Sequence, residues 1–224
     1  MPAWLSAGCG EKAAEPRLLA YGDSLTAGYV IESPYTREFS PWAPLLKLDT
    51  PCDHVGMSGW TTRQMLSNLH AKDAADSCGM HHAGLARLLK LRRYSLVVLM
   101  AGTNDLGVSS GAEIAARLVE LHESCHTAGV NTIAIGIPES KAACKGPAFV
   151  GERRREANEL LAEFAALTSS RCAYVSMDAA VPWTTGSALW ESDGLHMSRE
   201  GYARFAEALA PKLREVTAAW AAAE

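Results

Sequence analysis

The chain has 224 residues, of which 48% are hydrophobic and 21% charged, with a formal net charge of −4. That composition excludes a disordered tail and suits one domain with a sizeable core, and the negative balance argues against a nucleic-acid partner, because phosphate neutralisation needs a basic surface. No apolar run approaches the roughly 20 residues needed to cross a bilayer, so no membrane span is expected.

Residues 1–16 lack a basic n-region and the usual ~7–15-residue apolar stretch, so they read as an N-terminal extension ahead of a domain over 17–224. The expected compartment is the cytoplasm, or secretion or lipid anchoring if a signal segment precedes the given start. Gly8-Cys9-Gly10-Glu11-Lys12-Ala13 has the glycine spacing of a dinucleotide fingerprint, but no strand precedes it and Pro16 follows.

Short apolar runs then alternate with helical periods. Leu18–Tyr21 ends at Gly22, a weaker run around His54-Val55 ends at Gly56, and Leu96–Ala101 ends at Gly102. Thr132–Ile137 ends at Pro138, and Ala173–Met177 ends at Asp178. Runs that are apolar on both faces and rich in branched residues predict central parallel strands. Between them, Ile114, Leu118, Leu121 and Cys125 mark one face of a helix over 112–128, stopped by Gly129. Leu160, Phe164 and Leu167 mark a face of a helix over 152–168, and a last helix runs from about Arg199 towards Trp220, bent at Pro211. The alternation predicts a three-layer α/β/α sandwich with a five-stranded parallel sheet.

In such a sheet, functional residues gather at the carboxyl ends of the strands. Four segments stand there: Gly22-Asp23-Ser24-Leu25, Ser58-Gly59-Trp60, Gly102-Thr103-Asn104-Asp105 and, before the last helix, Asp193-Gly194-Leu195-His196. Ser24, between strand and helix, places its hydroxyl at a helix N-terminus, where backbone N–H groups favour a developing oxyanion. A serine hydroxyl needs a base to become a nucleophile. His196 is the candidate base, and Asp193, three residues earlier, is the candidate group to fix its tautomer. The Ser24 and Gly59 amides and the Asn104 carboxamide are candidate oxyanion donors.

These four segments resemble the blocks of the SGNH, or GDSL-type, hydrolase family, in the family's order over nearly the whole chain. The resemblance implies Ser24 as nucleophile, His196 as base, Asp193 as its orienter, and Gly59 and Asn104 as oxyanion donors. It also implies a flavodoxin-like sandwich and hydrolysis of esters or thioesters without a metal or other cofactor. One departure is that Gly56-Met57-Ser58 precedes Gly59 where many relatives carry an asparagine several residues upstream. His54 lies near that place, which leaves open what packs under the oxyanion hole.

Other patterns compete. His122-Glu123-Ser124-Cys125-His126 satisfies H-E-x-x-H and would suit a zinc peptidase. It lies ten or more residues into its helix, roughly 15–20 Å below the functional edge at ~1.5 Å per residue, so a solvated helix flank is expected. Gly107-Val108-Ser109-Ser110-Gly111 matches a nucleophile elbow, but Ser109 is too far from a strand end and reads as a loop leading into a helix cap. Cys78, His81 and His82 read as a surface loop rather than metal ligands, and Lys90–Arg93 and Arg153–Arg155 as solvated helix faces. The six scattered cysteines form no C-x-x-C pair and read as free or buried thiols.

Trp60, Leu106, Pro138, Trp183 and Trp190 are candidate walls of an apolar acyl or aryl pocket, and residues 139–151 a candidate flap or an idle loop. The expected activity is that of a serine esterase on small to medium acyl or aryl esters. A carbohydrate O-deacetylase, a lysophospholipase or a thioesterase would use the same machinery. The zinc peptidase and a catalytically silent binding protein are the alternatives from other classes.

Overall fold

The structure is a computed structural model that describes residues 17–33 and 36–222. In chain order its elements are β1 (Arg17–Asp23), α1 (Ser24–Ala27), β2 (Tyr29–Ser33), β3 (Thr36–Phe39), a 3-10 turn (Ala43–Leu46), β4 (Cys52–Met57) and α2 (Thr62–Ser67). There follow β5 (Ala74–Ala75), β6 (His81–His82), α3 (Leu85–Leu91), β7 (Tyr94–Met100), a 3-10 turn (Thr103–Asp105), α4 (Gly111–Thr127) and β8 (Asn131–Ile135). The rest comprises α5 (Lys141–Lys145), α6 (Ala148–Leu167), β9 (Cys172–Val175) and α7 (Arg199–Ala221).

Five strands form one parallel sheet in the order β4-β1-β7-β8-β9. Both faces are buried, as the continuous apolar runs require. Leu18, Ala20, Val98, Met100, Ile133 and Ile135 face one core with Trp42 and the α7 residues Tyr202, Phe205 and Leu209. Their neighbours Leu19, Tyr21, Val97, Leu99 and Ala134 face the other, under Ile114, Leu118 and Leu121 of α4 and Leu161 of α6. The expected sandwich is therefore present, with two small antiparallel hairpins, β2–β3 and β5–β6, added outside the sheet.

Several local expectations need correction. The buried stripe of α6 is Val150, Arg154, Ala157, Leu161 and Ala165, whereas Leu167 is exposed. Leu160 and Phe164 therefore mark the helix's flank and not its core face. Residues 139–151 are not an irregular loop, because they hold α5 and the first turn of α6. The last helix runs through Pro211 without interruption. Gly8–Ala13 and the boundary at residue 16 lie outside the described residues. Cys52, Cys78, Cys125, Cys144 and Cys172 are free thiols.

Candidate active site

β1 delivers Ser24 at the carboxyl edge. Asp23 caps α1 by accepting the Leu25 N–H at 3.0 Å, and Gly28, at φ 75°, closes the helix after four residues. The Ser24 hydroxyl lies 2.9 Å from His196 Nε2. His196 Nδ1 lies 2.7 Å from Asp193 Oδ2, and Asp193 Oδ1 accepts the Leu195 and His196 amides at 2.9 and 3.0 Å. Both the candidate base and its candidate orienter thus sit on one turn, which is tied down by Glu191 N–H to the His196 carbonyl and by Lys141 N–H to the Gly194 carbonyl. Burial works to raise the Asp193 carboxyl. The His196 ring and the two amides outweigh it and hold the group below the usual carboxylate range. An ionised Asp193 leaves its proton-bearing neighbour Nδ1 as donor and frees Nε2 to accept from a hydroxyl.

Gly59 occupies the turn after β4 at φ +77°, closed by the Trp60 N–H on the Met57 carbonyl at 3.2 Å. A residue with a side chain is strained there. Asn104 follows β7, and its Nδ2 donates to the Trp60 carbonyl at 2.9 Å, which leaves a second N–H on the same nitrogen. Asp105 ties the two loops together: it accepts the Thr62 N–H and Oγ1–H at 2.9 and 2.7 Å, with Arg117 3.5 Å away. Burial raises the Asp105 carboxyl against those bonds.

The candidate pocket residues are mostly packed into the core. Trp60 and Leu106 pack into one core and Trp190 into the other, and Pro138 is buried. Trp183 is half-buried and, with Trp190, lines a cavity of about 310 Å³ beside Gly194, Lys141 and Lys145. A further aromatic surface lies against His196: the Tyr29 ring centroid is 4.5 Å from that of His196, with Phe39 edge-on to Tyr29 at 5.9 Å. Neither was foreseen, although Tyr29 stands only four residues after the first motif.

The competing patterns have structural explanations. His122 is fully buried, with both ring nitrogens lacking a hydrogen-bond partner and the ring 5.9 Å from Phe164. Burial, helped by His126, pushes its pKa down to about 3, so the expected solvated flank is in fact core. His126 Nε2 pairs with Thr132 Oγ1 at 3.0 Å. Among the described residues no group of three or more His, Cys, Asp or Glu is arranged to hold a metal. Ser109 accepts from Arg117, and the next residue, Ser110, caps α4. His81 pairs with Asp73 on the β5–β6 hairpin. Arg154 is not solvated. It donates to the Ile137 and Pro138 carbonyls at 2.8 and 3.0 Å and to both Asp178 oxygens at 2.5 Å.

A serine, an imidazole and a carboxylate in hydrogen-bonded series at the carboxyl edge of a parallel sheet define the α/β class of hydrolases that can work by acyl transfer. The GDSL-like lipase/acylhydrolase family model matches residues 20–204, and the chain belongs to that family of ester-bond hydrolases. Among solved structures it is similar to TesA, at 22% identity and TM-score 0.66, over 89% of this chain and 99% of that one. It is also similar to a lipase/acylhydrolase from Enterococcus faecalis, at 21% identity and TM-score 0.64, over 90% and 96% of the two chains. A third is the psychrotrophic esterase EstA from Pseudoalteromonas sp., inhibited by monoethylphosphonate, at 18% identity and TM-score 0.65, over 90% and 98%. No curated protein sequence matches the chain. Among the described residues no helix is long and apolar enough to cross a membrane.

Proposed function

We propose that the protein is a serine esterase that hydrolyses small to medium acyl or aryl esters through Ser24, His196 and Asp193. The observation that carries this reading is the unbroken series of contacts at 2.9 and 2.7 Å from hydroxyl to imidazole to carboxylate. Ser24 Oγ attacks the ester carbonyl carbon while its proton passes to His196 Nε2. The tetrahedral oxyanion is held by the Ser24 and Gly59 amides and the free Asn104 N–H. Its collapse expels the alcohol, which takes the proton from Nε2 and leaves an acyl group on Ser24. Water, deprotonated by the same imidazole, then releases the acid. Asp193 stays ionised throughout and stabilises the imidazolium.

The aromatic pair Tyr29 and Phe39 beside the base supports a planar or short apolar group at the scissile bond. Phe39 is 36% exposed, which suits an open lip and not a long enclosed channel. Rates on p-nitrophenyl esters of rising acyl length, for wild type and Ser24→Ala, test the proposal. The expected result is a loss on the order of 10³-fold or more in the variant and an optimum at short chains. Equal rates would overturn the mechanism, and an optimum at long chains or on thioesters would move the substrate class.

A further inference from the structure

The Gly59 turn is held from outside the sheet by the β5–β6 hairpin. Asp76, whose side chain is 1% exposed, accepts the Ser58 N–H at 2.9 Å through Oδ2. Its Oδ1 accepts the Cys78 and Met80 amides at 2.8 and 2.9 Å, so the carboxylate is anchored in its own hairpin while it reaches the turn. The neighbouring Ser77 N–H donates to the Ser58 carbonyl at 3.0 Å. Ser58 is therefore gripped at both its nitrogen and its oxygen. The Ser77 side chain also lies against the turn, since a Cβ at Gly59 would come 2.4 Å from Ser77 Oγ.

The consequence follows from peptide geometry. The Ser58 carbonyl and the Gly59 N–H belong to one planar trans peptide and point in opposite directions. With the carbonyl bonded to Ser77, the Gly59 N–H is turned away from the hairpin, and among the described residues no protein acceptor takes it. We propose that Asp76, with the Ser77 amide, is the positioning element of the oxyanion hole: it sets the Ser58–Gly59 peptide before substrate arrives. This deepens the esterase reading and rests on it. It also accounts for the missing upstream asparagine, because support for the turn comes from the hairpin, and His54 makes no bond to the turn. Donors that need no reorientation as charge develops contribute to the transition state and not to ground-state binding.

The test is Asp76→Asn, in which a carboxylate oxygen that accepts an amide becomes an NH₂ that cannot. Wild type, Asp76→Asn and Ser24→Ala are assayed on one p-nitrophenyl ester, with sites counted by a fluorophosphonate. For Asp76→Asn, kcat per titrated site should fall about 10–100-fold with KM within about twofold, part of what loss of a whole oxyanion donor costs. Affinity for a trifluoromethyl ketone, whose serine hemiketal places an oxyanion in the hole, should fall by the same factor as kcat/KM. A residue that only stabilised the fold would lower the number of titratable sites and leave each site's kcat and ketone affinity unchanged, and that result would overturn the proposal. Activity surviving in Ser24→Ala would overturn the esterase reading and this proposal with it. Loss in Ser24→Ala with an unchanged Asp76→Asn overturns this proposal alone. Amide exchange in wild type gives a readout independent of how the variant folds. Ser58 N–H should be protected in the free enzyme, and Gly59 N–H only once the ketone is bound. An unprotected Ser58 would mean that the turn is not held.

Discussion

At the scale of single residues, the carboxylates around Ser24 are set to different tasks by their surroundings. Asp193 is held low by the imidazole and amides it accepts from, despite burial. Asp23, one residue before the hydroxyl, is fully buried, and burial pushes it up to about 7 although the Leu25 amide and His196 pull the other way. An unfolded aspartate titrates near 3.9. The folded state therefore binds the Asp23 proton more tightly, and the stability this group contributes is complete below that value and lost as pH rises through 7. Asp23→Asn keeps an oxygen to cap α1 and has no proton to lose. Melting temperatures taken from pH 4 to 8 should show the variant gaining on wild type as pH rises, whereas a constant difference would contradict the raised carboxyl.

At the scale of elements, the central strands were legible because each is buried on both faces and so reads as an apolar run closed by a small or polar residue. The motif residues were legible for a related reason: they lie in the few positions after each strand where the chain must turn. The hairpins were not. Ala74-Ala75 and His81-His82 carry no strand pattern, and their pairing rests on the bonds Asp76 makes within the hairpin and to Ser58, 18 residues away. The inward face of α6 was misread because a buried arginine occupies it while Leu160 and Leu167 point outward. Arg154 bonds loops after two strands, and Asn158 adds a two-way bond to the Ile137 N–H and carbonyl at 2.8 and 3.0 Å. Arg154→Ala would strand the Pro138 carbonyl and a carboxylate that is 34% exposed, while the Ile137 carbonyl keeps its Asn158 bond, at a cost of about 2–4 kcal/mol. The expected drop in melting temperature is roughly 5–15 °C, measured by circular dichroism. A drop under about 2 °C would show that the Arg154 contacts contribute little.

At the scale of the whole molecule, the acid side of the stability range has its own determinant in the layer opposite α7. The folded pKa of His122 is about 3 because burial keeps the ring neutral. The unfolded chain takes up that proton near 6.5. Its stabilising share is complete at neutral pH and is lost as pH falls from the unfolded value towards 3. His122→Leu removes an imidazole with no partner and should raise the melting temperature relative to wild type increasingly between pH 7 and 4. No change in that difference would place the acid sensitivity elsewhere.

The contact between Ser24 and His196 joins positions 172 residues apart. Synthesis from the N-terminus makes the hydroxyl among the first parts of the domain and its proposed base among the last. Four of the five sheet strands and the oxyanion turn precede β9 in the chain, so a nascent chain can build most of the sheet while the reacting pair is still incomplete. On the esterase reading, hydrolytic competence is thereby delayed until all five strands have been made, and a message cut short before residue 196 lacks both the proposed base and the α7 layer that covers one face of the sheet.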